Sequence, residues 1–167
     1  MAPAQVFGNT RLADRWRTIY DVWCRGPENL EKSNLWRAPL HKRRCLVPLS
    51  GFYEWRKTDK APFRFILRDQ PLYALAGLWD VWKSPTGSWL QCFSINTVEA
   101  NPVMRLIHDR MPAILSPGDY DEWLERGYVE SAPVHLLLPF PASTLEMHAA
   151  IPKVGNVRNQ GADLLES

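Results

Sequence analysis

Arg44-Cys45-Leu46-Val47-Pro48-Leu49-Ser50-Gly51-Phe52-Tyr53-Glu54-Trp55 is the stretch from which the fold is best predicted. Its two halves belong to runs at 45–48 and 52–56 that are rich in branched and aromatic residues, as β-strands are. Runs of the same kind follow at 63–67, 73–82 and 89–96, with turn-forming residues between them at 57–59, 69–71 and 84–87. Because such short spacers exclude parallel crossovers, the pattern predicts an antiparallel meander.

The segments on either side of this β-rich region are predicted to be mixed. Apolar residues recur at helical spacing over 12–24, which predicts an amphipathic helix ended by Gly26-Pro27, and residues 28–41 are typical of a loop with one helical turn. Later segments predict a short helix at 99–107, a strand at 111–115, a helix through 121–124 with Ser116 as its cap and Gly127 as its stop, and strands at 134–138 and 145–151. Together these elements predict an α+β fold, a mainly antiparallel, curved, barrel-like sheet with a few flanking helices.

Length and composition predict one globular domain over residues 1–167. The 167 residues are 46% hydrophobic and 23% charged, which is enough apolar material for a core. No stretch is apolar enough to cross a bilayer and the first residues lack a secretory pattern, so we expect a cytoplasmic protein, associated with the nucleoid if the source is bacterial. We also expect a monomer. Three cysteines without zinc spacing predict buried thiols, and we expect no disulfide, metal or other cofactor.

The net charge of +2 permits a polyanionic partner without requiring one. Basic residues nevertheless bracket Glu54 on both sides: Arg37, His41, Lys42, Arg43 and Arg44 before it, and Arg56, Lys57 and Lys60 after it. This basic zone is either a solvated surface or a surface that holds phosphates while a nearby aromatic ring stacks on an unpaired base. Most of the eight tryptophans are expected to be structural, with Trp79, Trp82 and Trp89 in the core or on a sheet face.

Two titratable side chains, Glu54 and His108, stand among apolar and aromatic residues. Glu54 follows Gly51-Phe52-Tyr53, and His108 opens the run His108-Asp109-Arg110-Met111-Pro112. A charge in such surroundings is costly unless it is paired, neutralised or used in chemistry. From the residues alone the structural alternatives stay open: a carboxylate at a strand edge paired with a base, and a histidine satisfied within a loop. His135 and His148 fall in predicted strands and are expected to be structural.

Six ordered motifs carry a resemblance to a known family. They are Arg43-Arg44-Cys45-Leu46-Val47-Pro48, Gly51-Phe52-Tyr53-Glu54-Trp55, Ala76-Gly77-Leu78-Trp79, Phe93-Ser94-Ile95-Asn96-Thr97-Val98-Glu99-Ala100-Asn101, Ile107-His108-Asp109-Arg110-Met111-Pro112 and Val154-Gly155-Asn156-Val157-Arg158-Asn159. With them the chain resembles the SRAP family, the SOS response-associated peptidases or abasic-site-processing proteins. The resemblance is strong over 43–160 and weaker over 1–42, where Asn9-Thr10-Arg11 is similar to the family's Asn-Ala-Arg segment and the N-terminal part is incomplete.

The resemblance implies single-stranded DNA with abasic sites as the partner, in the DNA damage response. Family members trap the lesion through a cysteine that directly follows the initiator methionine: its amine forms a Schiff base with the sugar aldehyde, and its thiol closes a thiazolidine ring. Carried over by motif, the catalytic residues would be Glu54 and His108 as acid/base groups and Asn9 as the residue that orients amine and sugar. The DNA-binding residues would be Arg11, Trp55, Arg110 and Thr97, although Arg110 equally fits a structural arginine bonded to backbone carbonyls.

The sequence departs from the family at its start. Residue 2 is Ala2, and no Met-Cys-Gly-Arg start is present. Cys24, Cys45 and Cys92 cannot substitute, because the ring needs an amine and a thiol on one residue, so we expect no such adduct from this chain. A truncated product or misassigned start, a divergent member without the covalent trap, and a relic that only folds stay open as explanations.

Enzymatic activity therefore also stays open at this point. The family is named for peptidase activity, the self-removal of the initiator methionine, which would expose only alanine here. The alternatives to the family function are a residual abasic-site lyase and a non-catalytic module that binds single-stranded DNA.

Overall fold

The computed structural model describes residues 30–83, 87, 89–156 and 158–165 of the chain. The predicted helix at 12–24, and with it Asn9, Arg11 and Cys24, lies outside these ranges, as do the side chains of Trp82 and Cys92. Within the described residues, no helix combines the length and the apolar content that crossing a bilayer requires.

The largest sheet is built around one long central strand. Strand β4 (Tyr73–Lys83) pairs antiparallel with β1 (Arg44–Leu49) along one edge, and with β5 (Trp89–Ile95) and β8 (Ile114–Leu115) along the other. Gly77 of β4 lies where β1 comes closest. A Cβ added there would stand 2.8 Å from the Cys45 Sγ and 2.9 Å from a Val47 methyl carbon, so the tight pairing of these strands requires glycine.

Two smaller antiparallel sheets carry the predicted site residues. Strands β2 (Phe52–Trp55), β3 (Pro62–Leu67) and β9 (Leu145–Ala149) form one of them in the order β2-β3-β9, and β6 (Thr97–Glu99) pairs with β7 (Arg110–Pro112) in the other. The helices are short: α1 spans Arg37–Lys42, and α2 (Tyr120–Trp123) follows a 3-10 turn at Pro117–Asp119. The α+β class with antiparallel pairing is confirmed.

Several element predictions are corrected in the second half of the chain. The predicted helix at 99–107 is instead the end of β6 followed by a 3-10 turn at Met104–Leu106, and the predicted strand at 134–138 is a 3-10 turn at Val134–Leu136. In the latter the Leu137 N–H donates to the Val134 carbonyl at 3.0 Å, which is the local bond of a turn. The strand prediction was wrong because a short apolar run does not by itself distinguish a strand from a helical turn. Helix α2 ends at Trp123, well before Gly127, and Ser116 makes no side-chain cap.

The predicted strand at 111–115 is divided between two sheets at Ala113. The Ala113 amide donates to the Asn96 carbonyl at 2.9 Å, and the Ala113 carbonyl accepts from the Ala76 amide at 2.8 Å. Residues before Ala113 therefore pair with β6 and those after it pair with β4. This division joins the small β6-β7 sheet to the largest one.

Strand β2 has a hydrophobic cluster on each of its faces. Phe52 belongs to the main core, which draws side chains from all three sheets, from α1 and from α2. Tyr53 instead joins Val154 and Leu164 in a second cluster, against which Trp55 also packs. Of the two placements predicted for Trp79 and Trp89, the sheet face is the observed one, since Trp89 is 66% exposed and Trp79 lies beside Phe93 on the solvent side of β4 and β5.

Candidate functional site

Glu54 occupies the face of β2 that looks toward the main core. Because side chains alternate along a strand, Tyr53 and Trp55 turn to the second cluster, and Glu54 shares the opposite face with Phe52. The carboxyl is half-buried, and its Oε1 accepts a hydrogen bond from the Trp55 backbone N–H at 3.2 Å. A carboxylate is thus placed where water solvates it only in part.

The environment raises the pKa of Glu54 above its ordinary value. Burial is the dominant cause, because desolvation disfavours the charged form. The Trp55 N–H, the His108 ring and the Lys57 ammonium act in the opposite direction and only partly offset the burial. A carboxyl whose pKa is raised keeps its proton closer to neutral pH, which suits a group that must both give and take a proton.

His108 is presented by the loop that precedes β7. Its backbone N–H donates to the Met104 carbonyl at 2.9 Å, so the 3-10 turn at Met104–Leu106 fixes its position, and the residue is only 8% exposed. Its ring nitrogen Nδ1 lies 3.0 Å from the Arg110 amide nitrogen, 3.3 Å from the Arg110 carbonyl oxygen and 3.1 Å from Oδ1 of Asp109. One donor and two acceptors thus surround the same nitrogen.

Glu54 of β2 and His108 of the loop before β7 meet at this site. The His108 ring is close enough for its charge to lower the pKa of Glu54. A second contact joins the same two segments, since the Lys57 ammonium lies 2.9 Å from Oδ2 of Asp109. The predicted acid/base pair is therefore brought together, and the turn after β2 is held to the loop before β7.

Arg110 and Thr97 form one unit beside His108. The Arg110 Nε donates to the Thr97 hydroxyl at 3.0 Å, and Nη2 donates to the Thr97 carbonyl at 2.5 Å. Both residues are half-buried on the paired strands β6 and β7. The structural alternative considered for Arg110 is thus observed, and a role of either residue in DNA contact stays a prediction.

Trp55 lies at the edge of the second cluster. It is half-buried against that cluster, and a Cβ added at Gly155 would stand 3.8 Å from the indole Nε1. Val154 and Gly155, from the last sequence motif, therefore help to form the surroundings of this ring. Stacking of Trp55 on a DNA base stays a prediction.

Two residues of the predicted basic zone, His41 and Arg44, are buried and bind other parts of the fold. Arg44 is 7% exposed and donates three hydrogen bonds of 2.7 Å, to the carbonyls of Trp123, Leu40 and Glu125. His41 is also buried, with Nδ1 2.6 Å from the Val129 carbonyl oxygen and its ring stacked on Tyr128. The interpretation of this zone as one continuous basic surface is wrong for these two residues.

The remaining basic residues of the zone are nearer to solvent. Arg43 pairs with Asp80 at 3.1 Å, and Arg56 pairs with Asp59 through two hydrogen bonds of 2.9 and 2.5 Å. Arg37, Lys42 and Lys60 are exposed. A cationic surface that could hold phosphates is thus smaller than the sequence suggests.

The structure also places one further cysteine and two further histidines. Cys45 is a half-buried free thiol, and burial raises its pKa to about 11, which makes it a poor nucleophile near neutral pH. His135 lies outside any strand, exposed and 3.0 Å from Glu122, whereas His148 is in β9 as predicted, 3.4 Å from Glu146. Across the part of the chain that the structure describes, no cluster of three histidine, cysteine or acidic residues is arranged to hold a metal ion.

Sequence reasoning did not assign a role to Asp109 or to Lys57. Asp109 stands next to His108 in one of the six motifs and Lys57 lies two residues after Trp55, but their contact depends on two segments that are far apart in the chain. The adjacency of Asp109 to His108 was the available signal, and spacing alone could not indicate that the carboxylate would be shared with a lysine.

Comparisons with known proteins identify relatives of this chain. A family model described as SOS response associated peptidase (SRAP) matches residues 17–157. The chain is 36% identical over 148 residues to the abasic site processing protein YoqW of Bacillus subtilis (strain 168), covering 84% of this chain and 64% of YoqW. It is 35% identical over 161 residues to the abasic site processing protein HMCES of Xenopus tropicalis, covering 81% of this chain and 47% of that protein. The chain thus spans less than two thirds of the length of these curated relatives.

Solved structures show the same fold. A protein from Bacteroides thetaiotaomicron superposes with a TM-score of 0.79 at 25% identity, covering 99% of this chain and 73% of that one. A protein from Bordetella bronchiseptica superposes with a TM-score of 0.64 at 28% identity, covering 74% of this chain and 63% of that one. With the family match, the ordered motifs and this fold in agreement, the chain belongs to the SOS response associated peptidase (SRAP) family.

Proposed function

We propose that this chain processes abasic sites in single-stranded DNA, with Glu54 and His108 as its acid/base pair. The observation that carries the proposal is the half-buried Glu54 carboxyl, with its raised pKa, beside the buried His108 ring. The names of the relatives, abasic site processing proteins, support the same substrate. We further propose that the chain acts as a single domain and a monomer, in the cytoplasm, as part of the damage response.

The chemistry of an abasic site needs groups that give and take protons in turn. The open sugar carries an aldehyde, an amine attacks it to form a carbinolamine, and loss of water then gives an imine, for which an acid must protonate the departing hydroxyl. Strand cleavage then requires a base to remove a proton from the carbon next to the imine, with the 3′ phosphate as the leaving group. We assign the acid role to Glu54, whose raised pKa favours its protonated form, and the base role to His108, whose imidazole can accept a proton.

The source of the amine distinguishes the two catalytic forms of this proposal. In the family mechanism an N-terminal cysteine supplies it and its thiol then traps the lesion as a thiazolidine. In a residual lyase a lysine supplies it, and the product is a cleaved strand. In either form Asn9 is proposed to orient the amine and the sugar, and the residues proposed to bind the DNA are Arg11, Trp55, Arg110 and Thr97.

A borohydride trapping experiment tests the proposal. The purified chain is incubated with a single-stranded oligonucleotide that carries one abasic site, with and without borohydride, beside the E54Q variant. A matched control is E146Q, which removes the ion pair between the half-buried Glu146 of β9 and Arg68, the residue that follows β3. We expect trapped or cleaved DNA from wild type and from E146Q, and strongly reduced product from E54Q. If wild type gives no trapped species and no strand scission, a catalytic role is refuted.

The second candidate is a non-catalytic module that binds single-stranded DNA. The exposed basic residues Arg37, Lys42 and Lys60, together with the half-buried Trp55, favour it. If wild type never cleaves the DNA and E54Q binds it as tightly as wild type does, then binding is the whole function. An affinity that does not fall with salt would exclude nucleic acid as the partner, because counterion release makes such binding salt-dependent.

A further inference from the structure

Asp109 divides its two carboxylate oxygens between two partners. Its Oδ1 lies 3.1 Å from Nδ1 of His108, and its Oδ2 lies 2.9 Å from the Lys57 ammonium. The Lys57 and Asp109 side chains are 56% and 69% exposed, whereas that of His108 is 9% exposed. An exposed ion pair of this kind contributes little to stability, so folding alone gives it no evident purpose.

The groups around the His108 Nδ1 are compatible with either of the two neutral forms of the ring, with the proton on Nδ1 or on Nε2. If Nδ1 is unprotonated, it accepts the Arg110 amide hydrogen at 3.0 Å, and the ring proton is then on Nε2. If Nδ1 is protonated, it donates to Asp109 Oδ1 or to the Arg110 carbonyl oxygen, and a neutral ring then leaves the Nε2 lone pair ready to take a proton. Only the second arrangement makes Nε2 a base.

We propose that Asp109 is a positioning residue that selects the base-competent form of His108, and that Lys57 holds its carboxylate in place for this purpose. The proposal rests on the proposed function, since it assigns a task within the same site. The charged groups shown around His108 are Glu54 from β2 and its neighbour Asp109, which Lys57 from the turn after β2 contacts in turn. Arg110 of β7 contacts the ring through its backbone, while its guanidinium bonds Thr97.

The charge of Lys57 acts on Asp109, and the charge of Asp109 acts on the His108 ring. The hydrogen bond from Lys57 is the largest of the effects that lower the pKa of Asp109, so this carboxylate stays ionised at neutral pH. An ionised Asp109 favours a proton on Nδ1 and stabilises the imidazolium that forms when Nε2 takes a second proton from the substrate. When Nε2 returns that proton, Nδ1 keeps its own, so Asp109 remains ionised throughout and no further reactant is needed.

Nitrogen NMR of the histidine ring in the free protein tests the pairing without any substrate. The nitrogen shifts identify which ring nitrogen carries the proton. We expect His108 to carry it on Nδ1 in wild type and on Nε2 in the D109N variant, in which the carboxylate charge is lost and the Arg110 amide remains as a donor. An unchanged proton position in D109N would overturn the proposal.

The reaction rate gives the second, independent test. On abasic single-stranded DNA we expect D109N to lower the single-turnover rate about tenfold or more with little change in DNA affinity, D109E to restore part of it, and K57M to have a smaller effect than D109N. E146Q, which breaks the ion pair of Glu146 with Arg68, serves as the control and should keep the wild-type rate. A D109N rate equal to wild type would overturn the proposal, because the carboxylate would then be a surface ion pair only.

Two further outcomes separate this proposal from the proposed function. If wild type shows no activity, the proposed function fails, while the NMR result still decides whether Asp109 sets the state of His108. If K57M abolishes the trapped adduct and D109N does not, Lys57 is itself the amine that attacks the sugar, and its assignment as a support for Asp109 is overturned.

Discussion

Arg44 and Glu54 come from one short segment, and the fold treats their charges in opposite ways. Arg44 is buried, and its guanidinium donates three short hydrogen bonds to backbone carbonyls of α1 and of the segment that ends α2. Glu54 is half-buried, accepts a bond from its neighbour's amide, and keeps a raised pKa. A buried charge with a full set of partners fixes structure, whereas one with an incomplete set remains available for proton transfer.

The comparison also separates two regions of the protein. The Arg44 region joins β1 to both helices, and Trp123 adds a bond from its indole Nε1 to the Cys45 carbonyl at 3.0 Å. The Glu54 region joins two small sheets through the exposed ion pair of Lys57 with Asp109. Stability and chemistry are therefore expected to respond to different substitutions, although the residues are close in sequence.

The sharpest contrast is in reaction rate. Glu54→Gln keeps the shape of the side chain but removes its ability to exchange a proton, so we expect processing of an abasic oligonucleotide to fall about 10²- to 10⁴-fold. Circular dichroism should show an unchanged fold. The contrast would be broken if E54Q kept the wild-type rate, since the carboxyl would then have no catalytic task.

The next contrast is in stability. Arg44→Met leaves two buried carbonyls and one part-buried carbonyl without their donor, and we expect the free energy of unfolding to fall by about 3 kcal/mol. Urea unfolding measures this, with the adjacent Arg43→Met as the matched control, for which a loss of less than about 1 kcal/mol is expected. Equal losses in the two variants would show that the buried bonds of Arg44 carry no special weight.

A third contrast is in the pH dependence of stability. Because the folded protein raises the pKa of Glu54 above its ordinary 4.5, ionising this group costs more in the folded state than in the unfolded one. Wild type should therefore lose stability relative to E54Q as pH rises from below 4.5 through the raised pKa, and the difference should level off above it. Urea unfolding of both proteins over this range tests the sign, and a difference that grew in favour of wild type with rising pH would contradict it.

The smallest effect is expected for a charge pair on the surface. Asp80→Asn weakens the 3.1 Å bridge to Arg43, and since both side chains reach solvent we expect a loss of about 0.5 kcal/mol. Thermal unfolding at low and high salt measures it. A loss as large as that of Arg44→Met would remove the distinction between the buried arginine and its neighbour.

Sequence patterns predicted the β-rich half of the molecule well because branched and aromatic runs there alternate with clear turns. Strands β1 to β5 fall within one or two residues of the predicted runs. The same reasoning failed at 134–138, where the apolar run forms a 3-10 turn, and at Ala113, where a bridge between sheets divides one predicted strand into two. Both outcomes depend on contacts made with distant parts of the chain, which local patterns do not contain.

The site was predictable in its chemistry but not in its neighbours. Glu54 and His108 were indicated by their apolar surroundings and by the family motifs, and the structure places them together. Arg44 looked like part of a basic surface because composition does not reveal which cations are buried. The link from Lys57 to Asp109 joins two loops and was visible only once the fold brought them together.

The second cluster has a consequence for how the protein is made. Among the residues that the structure describes, the outer face of β2 is covered when the Tyr53 hydroxyl donates to the Leu164 carbonyl and Val154 packs beside it. A ribosome must therefore synthesise more than a hundred further residues after β2 before the strand that carries Glu54 is enclosed. We expect nascent chains that stop before residue 150 to leave Tyr53 and Trp55 open to chaperones, so that the site is the last part of the molecule to mature during translation.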